Sequence, residues 1–178
     1  MELKYAILGL LSDRPMSGYD LNKAFMMSAA HFWYADQSQI YRTLERLQSK
    51  GLIHTTEIPQ KGKPTRNEHS LTDAGRAELM AWLSTPLEEE KTKSAFLARL
   101  FFIAPLGTEA VLRLLRQRVE QTESHIATLE SIEVAGSSLK ATLRRATVDY
   151  GLTGSRAEIQ WLHSLIDSLE GDNNDSPH

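Results

Sequence analysis

Residues 36–75 read DQSQIYRTLERLQSKGLIHTTEIPQKGKPTRNEHSLTDAG, and this stretch decides the fold. Asp36 suits a helix N-cap, because its carboxylate accepts from backbone N–H groups that a first turn leaves without partners. Ile40, Leu44 and Leu47 then recur at spacings of four and three, one apolar stripe on a helix over 36–50. Gly51 ends that helix, since glycine takes the left-handed conformation at little cost. Beyond it, LIHTTEI (52–58) is β-branched and roughly alternating, PQKGKP (59–64) is a polar turn, and 65–71 is a second strand. Thr72 caps a further helix carrying Leu79, Trp82 and Leu83.

Working outward, residues 2–12 predict a first helix with Tyr5, Ile7, Leu8, Leu10 and Leu11 apolar, closed by Asp13-Arg14-Pro15. Ser17 caps a short second helix to about residue 27, with Tyr19, Leu21, Ala24 and Phe25 on its apolar side. Residues 28–35 are a loop rich in aromatics. Three helices, a hairpin and a closing helix within residues 1–85 form a winged helix, a variant of the helix-turn-helix.

A charged connector occupies 86–92. The apolar helix 93–103 is broken by Pro105 and Gly107. Over 108–134, Leu112, Leu115, Val119, Thr122, Ile126 and Leu129 alternate three and four apart, a heptad seam. Ala135-Gly136-Ser137 turns the chain into a last helix over 138–170. Its seam runs through Leu139, Leu143, Ala146 and Tyr150, then Leu152, Ile159, Leu162, Ile166 and Leu169. The register slips at Gly151-Leu152-Thr153-Gly154, where two glycines suggest a kink or a close crossing. Residues 171–178 read as a disordered tail. The expected fold is mainly α with a small β-hairpin: an N-terminal winged helix, and a C-terminal antiparallel helical domain over 93–170.

The chain has 178 residues and no cysteine, which excludes disulfides, thiolate metal sites and thiol nucleophiles. No apolar run is long enough to span a membrane. Glu2 ahead of Lys4, with no small-residue cleavage site after the first apolar stretch, argues against a signal peptide, so a cytoplasmic location is expected. There is no Gly-rich phosphate loop, no His-Glu metal motif and no nucleophile–base pair, so neither an enzyme nor a cofactor is expected. His31, His125 and His163 lack ligand spacing.

Net charge is -3, which by itself argues against nucleic acid. The charge is uneven, however. Residues 1–85 carry ten Lys+Arg against nine Asp+Glu, while 86–178 carry ten against fourteen. Within 37–66, Arg42, Arg46, Lys50, Lys61, Lys63 and Arg66 face only Glu45 and Glu57, a local balance of +4. With Ile40, Leu44 and Leu47 turned inward, the 36–50 helix presents Gln37, Ser38, Gln39, Tyr41, Arg42 and Arg46 on its other sides. Gln and Arg pair bidentately with adenine and guanine, and a helix fits the major groove. Ser38 and Tyr41 suit phosphate. Lys61 and Lys63 at the hairpin tip, with Arg66 beside them, suit phosphate or the minor groove. The expected partner is a double-stranded DNA operator. The competing reading keeps the fold as a protein-interaction module, for which the acidic neighbours Glu57 and Glu68 speak.

These residues carry a resemblance. YAILGLL (5–11) and PMSGYDL (15–21) are similar to the opening of the PadR family of bacterial transcriptional regulators. Trp33, QSQIYRTLERLQSKGLI (37–53), GKPTRNEHSLTDAGRAELMAWL (62–83) and KSAFLARLFF (93–102) continue it. DYGLTGSRAEIQWL (149–162) resembles the closing helix of the branch with a long C-terminal half. The chain departs from the pattern at Ser17, where many members have His, and at Asn67-Glu68-His69, where basic and Tyr residues are common. The resemblance implies a dimeric regulator, usually a repressor. It also implies Tyr41 and Arg42 as backbone or base contacts, Lys61, Lys63 and Arg66 as wing contacts, and in some members a small aromatic effector.

The apolar seams of the 108–134 and 138–170 helices look too long for one small domain to bury, so a homodimer through them is expected. Its symmetry calls for a pseudo-palindromic operator. Phe32, Trp33, Phe101 and Trp161 are candidates to line an effector pocket. A regulator that works without any effector is the alternative.

Overall fold

The computed structural model describes residues 2–28, 35–60, 63–87 and 93–174, which fall into two compact units, Met1–Glu88 and Glu89–His178. The first unit holds α1 (Leu3–Leu11), β1 (Met16–Ser17), α2 (Gly18–Met26), α3 (Gln37–Ser49), β2 (Ile53–Gln60), β3 (Lys63–Leu71) and α4 (Asp73–Leu83). It is a winged helix. The sheet has three strands, not the two that the hairpin implies: β1 pairs antiparallel with β3, Met16 opposite His69 and Ser17 opposite Glu68, in the order β1-β3-β2. Two residues have no periodicity to read, so β1 exists only because β3 is there to pair with it.

The core is built by the stripes that the spacing predicts. Ile7, Leu8, Leu21, Phe25 and Ile40 are fully buried, with Leu11, Met16, Leu44, Leu47, Ile53 and Leu79 almost so. Tyr5 stacks on Trp82 with ring centroids 4.5 Å apart. Beside that stack, Lys4 Nζ donates to Glu78 Oε1 at 2.7 Å, tying α1 to α4. The hydrogen bond to Glu78 pushes the Lys4 ammonium up to about 12.

Two glycines set the junction of α3, β2 and α4. Gly51 has φ of +68° and closes α3: its N–H reaches the Gln48 carbonyl at 2.9 Å and the Leu52 N–H reaches Leu47 at 3.0 Å, a Schellman motif. Thr72 caps α4 through Gly75 N–H at 3.0 Å. A side chain at Gly75 would run into the Leu52 carbonyl oxygen and come within 2.9 Å of Leu71 Cδ1.

The second unit holds α5 (Ala95–Phe102), a 3-10 turn (Ala104–Leu106), α6 (Thr108–Glu130) and α7 (Leu139–Asn174). Arg116 pairs with Glu170 at 2.6 Å and Glu130 with Arg156 at 2.8 Å, so α6 and α7 run antiparallel. Arg118 forks onto Glu158 at 2.9 and 3.0 Å, and Thr122 donates to the same carboxylate at 3.2 Å.

Four expectations change here. First, α6 ends at Glu130 rather than near 134, and Arg145 Nη1 instead binds the carbonyls of Val134 and Gly136 at 3.2 and 2.7 Å. Second, α7 passes through 151–154 without interruption, and a Cβ at Gly154 would meet nothing within 4 Å, so no close crossing demands that glycine. Third, helix continues to Asn174, beyond the expected start of a tail at 171, because one glycine does not stop a helix already propagating. Fourth, the α6 seam is buried within its own chain, through Leu112, Leu115, Thr122 and Leu129 against α7. On α7 it is Ala141 and Val148 that turn inward, while Leu139, Leu143 and Tyr150 are 75, 57 and 84% exposed. A four-three spacing marks a face, but it does not say which of two apolar faces a neighbour takes.

Gly75→Ala is expected to lower the stability of the first unit by about 2–3 kcal/mol, because overpacking against a carbonyl outweighs alanine's better helix propensity. Urea unfolding followed by far-UV circular dichroism measures it, and a neutral or stabilising result would contradict the close approach.

Candidate nucleic-acid interface

Helix α3 is held by its ends and by its stripe. Asp36 Oδ1 accepts from Gln39 N–H at 2.8 Å, and Gln39 Oε1 accepts from Asp36 N–H at 3.0 Å, a reciprocal capping box. Gln39 is therefore committed to the helix terminus. Burial of Ile40, Leu44 and Leu47 leaves Gln37, Ser38, Tyr41, Arg42 and Arg46 exposed. Arg42 Nε rests on the Ser38 carbonyl at 3.3 Å, which aligns the guanidinium along the helix toward its N-terminus.

Tyr41 is positioned from outside the helix. A Cβ at Gly18 would lie 2.6 Å from Tyr41 Cε1 and 3.2 Å from its hydroxyl, so the ring is seated on the bare backbone at the start of α2. That contact gives Gly18 a role no local rule supplies. It is also the reason Tyr41 projects beside α2 rather than away from it.

An open hollow of about 530 Å³ lies between the start of α2, helix α3 and the hairpin. Its walls include Asp20, Tyr41, Glu45, Gln48, Thr55 and Arg66. Arg66 lies on β3 opposite Ile58, three residues past Lys63 and nearer the tip of the hairpin than its root. Its Nη2 donates to Asp20 Oδ2 at 2.8 Å and approaches Glu68 Oε1 at 3.5 Å, while its Nε is buried with no partner. The sequence reading treats Arg66 as a wing cation and does not assign Asp20. The signal for Asp20 is the Ser17-x-x-Asp20 pattern of a helix start, where Ser17 Oγ donates to Asp20 Oδ2 at 2.7 Å and accepts from its N–H at 3.1 Å. Lys61 lies outside the described residues, and Lys63 is described only as the first residue of β3.

Behind the hollow, a polar chain leads inward. Thr55 Oγ1 donates to Gln48 Oε1 at 2.9 Å and lies 3.0 Å from His69 Nδ1. With the threonine proton given to Gln48, His69 donates through Nδ1–H. His69 is buried, and burial lowers its imidazole below the ordinary 6.5, because the charged ring would lose its water.

Of the candidate effector residues, Phe32 and Trp33 lie outside the described residues. Phe101 is 80% exposed and packs edge-on against Phe102, whereas Trp161 meets Phe96 edge-on at 6.4 Å. Phe101 and Trp161 thus serve different neighbours in the second unit. Phe96 also carries the Arg118 guanidinium 5.3 Å from its ring centre. It lines a hollow of about 490 Å³ together with Lys93, Arg99 and Arg118.

A winged helix with an exposed polar and basic third helix, followed by a helical hairpin, is an architecture that DNA-binding transcriptional regulators use. The comparisons agree. Residues 7–81 match the Transcriptional regulator PadR-like family, and residues 92–170 match Virulence activator alpha C-term. The chain thus carries a PadR-like transcriptional-regulator domain in its first half, followed by the long helical second half that the Virulence activator alpha C-term model describes. It is 28% identical to the negative transcriptional regulator PadR of Bacillus subtilis, over 96% of this chain and 98% of that one. The structure of Bacillus subtilis PadR in complex with operator DNA superposes with a TM-score of 0.81 at 29% identity, covering 94% of this chain and 98% of that one. Its complex with p-coumaric acid gives 0.74 at 27% identity, over 94 and 98%. Among the described residues no helix is long and apolar enough to cross a membrane.

His69 predicts a pH dependence. Its folded-state value lies below 6.5, so its contribution to stability is complete above about pH 6.5 and is lost as pH falls through the folded-state value. His69→Gln is expected to remove that component. The difference in unfolding free energy between wild type and variant should shrink from about pH 7.5 to about pH 5. A constant difference would exclude His69 as its source.

Proposed function

We propose that this protein is a cytoplasmic, non-enzymatic repressor that binds a pseudo-palindromic operator as a homodimer. The observation that carries this reading is the burial of Ile40, Leu44 and Leu47, which turns Gln37, Ser38, Arg42 and Arg46 outward beside Tyr41 and the hairpin. In this reading the 1–85 winged helix enters the major groove with α3. Arg42 and Gln37 read base edges, Ser38 and Tyr41 hold phosphate, and Lys61 and Lys63 reach the backbone from the wing tip. The relative solved with operator DNA supports the partner.

The 93–170 helices are the dimerisation domain. Leu139, Leu143 and Tyr150 repeat four and seven apart on the exposed side of α7, a second apolar face that the described residues leave largely uncovered. A second copy of the chain covers it. A small aromatic acid is the effector class, supported by the relative's p-coumaric acid complex. The cationic hollow at Phe96 suits a planar carboxylate.

Gel shifts and footprinting on the DNA upstream of its own coding sequence test the reading. Arg42→Ala is expected to cost about 1–3 kcal/mol on the operator and to relax specificity there. Lys63→Ala should lower affinity across sequences and reduce the salt slope by about one. Leu143→Asp should convert the dimer to monomer in sedimentation. If no salt-sensitive, sequence-preferring binding is found, the protein is an interaction module that keeps the fold.

A further inference from the structure

Among the described cations of residues 37–66, Arg66 is the one held in an ion pair, with Asp20 at 2.8 Å and Glu68 at 3.5 Å. We propose that Asp20 is a specificity-determining residue. Its carboxylate occupies the Arg66 guanidinium in the way a DNA phosphate would, and so withdraws one cation from non-specific backbone binding. The proposal rests on the operator-binding reading above.

The geometry is that of an oriented, charge-assisted pair. Asp20 is anchored in the first turn of α2, and Ser17 donates to the same oxygen, Oδ2, that Arg66 binds. A carboxylate held from two sides keeps its place in a way that a solvated surface carboxylate does not. Arg66 presents only Nη2 to it, and the two side chains are each 39% exposed, so a phosphate passing the hollow can reach the pair. Among the described residues that wall the hollow, Arg66 is the one cation, and Asp20 and Glu45 are both carboxylates. Tyr41 and Gln48 of α3 face the same space. A duplex backbone lying between helix and hairpin therefore meets a surface of net negative charge at its centre. Arg42 and Arg46 remain exposed on α3 beside it.

Non-specific affinity scales with the number of phosphates neutralised, whereas base contacts add only at the right sequence. A regulator must find one site among a genome of others, so its useful quantity is the ratio of the two affinities. An internal carboxylate on Arg66 lowers the non-specific member of that ratio and leaves Gln37 and Arg42 free to read bases.

Asp20→Asn tests this. Asparagine keeps the shape and still accepts from Ser17 and Arg66, but it removes the charge. Binding of wild type, Asp20→Asn, Arg66→Gln and the double variant is measured over a salt series. The probes are the DNA upstream of the protein's own coding sequence and a random duplex of equal length. Asp20→Asn is expected to tighten binding to the random duplex several-fold at low salt. The slope of log K against log salt should steepen by about 0.9, and the preference for the upstream DNA should fall. Arg66→Gln alone should leave the wild-type slope unchanged, and the double variant should return to it.

An unchanged slope in Asp20→Asn, with the wild-type preference intact, overturns this inference alone. So does a slope flattened by about 0.9 in Arg66→Gln, which would make Arg66 a phosphate contact in the native protein. A wild type with no sequence preference overturns the operator reading and this inference with it. Melting curves check that each variant is folded, and Asp20→Ser provides the same charge removal if asparagine is not tolerated.

Discussion

Burial of Ile40, Leu44 and Leu47 fixes the rotation of α3 about its own axis, and the rest of the first unit depends on that angle. A helix with three apolar residues on one stripe has one inexpensive orientation against a core, since turning it would expose all three to water. Once that angle is set, the polar residues of α3 have no choice of face. The capping box at Asp36 and the Schellman turn at Gly51 then fix where the helix starts and stops. The carbonyl of Leu52, just after the turn, also accepts from Thr72 N–H at 3.2 Å. The end of the third helix and the start of the fourth are therefore joined through a single residue.

Charge in this protein is organised by pairing more than by total. The -3 of the whole chain and the +4 of residues 37–66 are both sums of formal charges, and neither says which cations are available. Arg66 shows the difference. It belongs to the basic segment by position, yet two carboxylates meet it, one from α2 and one from two residues along its own strand. Gln39 is the neutral counterpart: suited to adenine by chemistry, but bonded to the cap of its own helix. Both removals act through specific hydrogen bonds that a composition count cannot contain.

The second unit resolves a competition between faces. Helix α7 carries apolar residues on two sides of its first half, and α6 takes the side with Ala141 and Val148. Small side chains there let the helices approach, and Arg145 and Arg118 supply polar clasps to the loop and to α7. Leu139, Leu143 and Tyr150 are left outward in consequence. The intrachain hairpin and an apolar outer surface are thus two results of one packing choice.

The order of elements was legible in the sequence because it is written in local terms. Stripes at three and four, caps at Ser17, Asp36 and Thr72, and stops at Pro15 and Gly51 each act within a few residues and need no distant partner. The resemblance to the PadR family could be read from the same residues. What lay beyond the sequence depends on partners far apart in the chain. Strand β1 exists only through its pairing with β3, and Gly18 matters because Tyr41 lies on it. His69 is buried on the strand that β1 and β2 flank, and Arg66 is neutralised by a carboxylate 46 positions away. The sequence by itself determined which helices and strands form and which face of α3 is buried, because those follow from short-range periodicity and capping. Only the tertiary structure decided which polar groups stay free for a partner, because a hydrogen bond or ion pair between distant residues forms only once the fold has brought them within 3 Å.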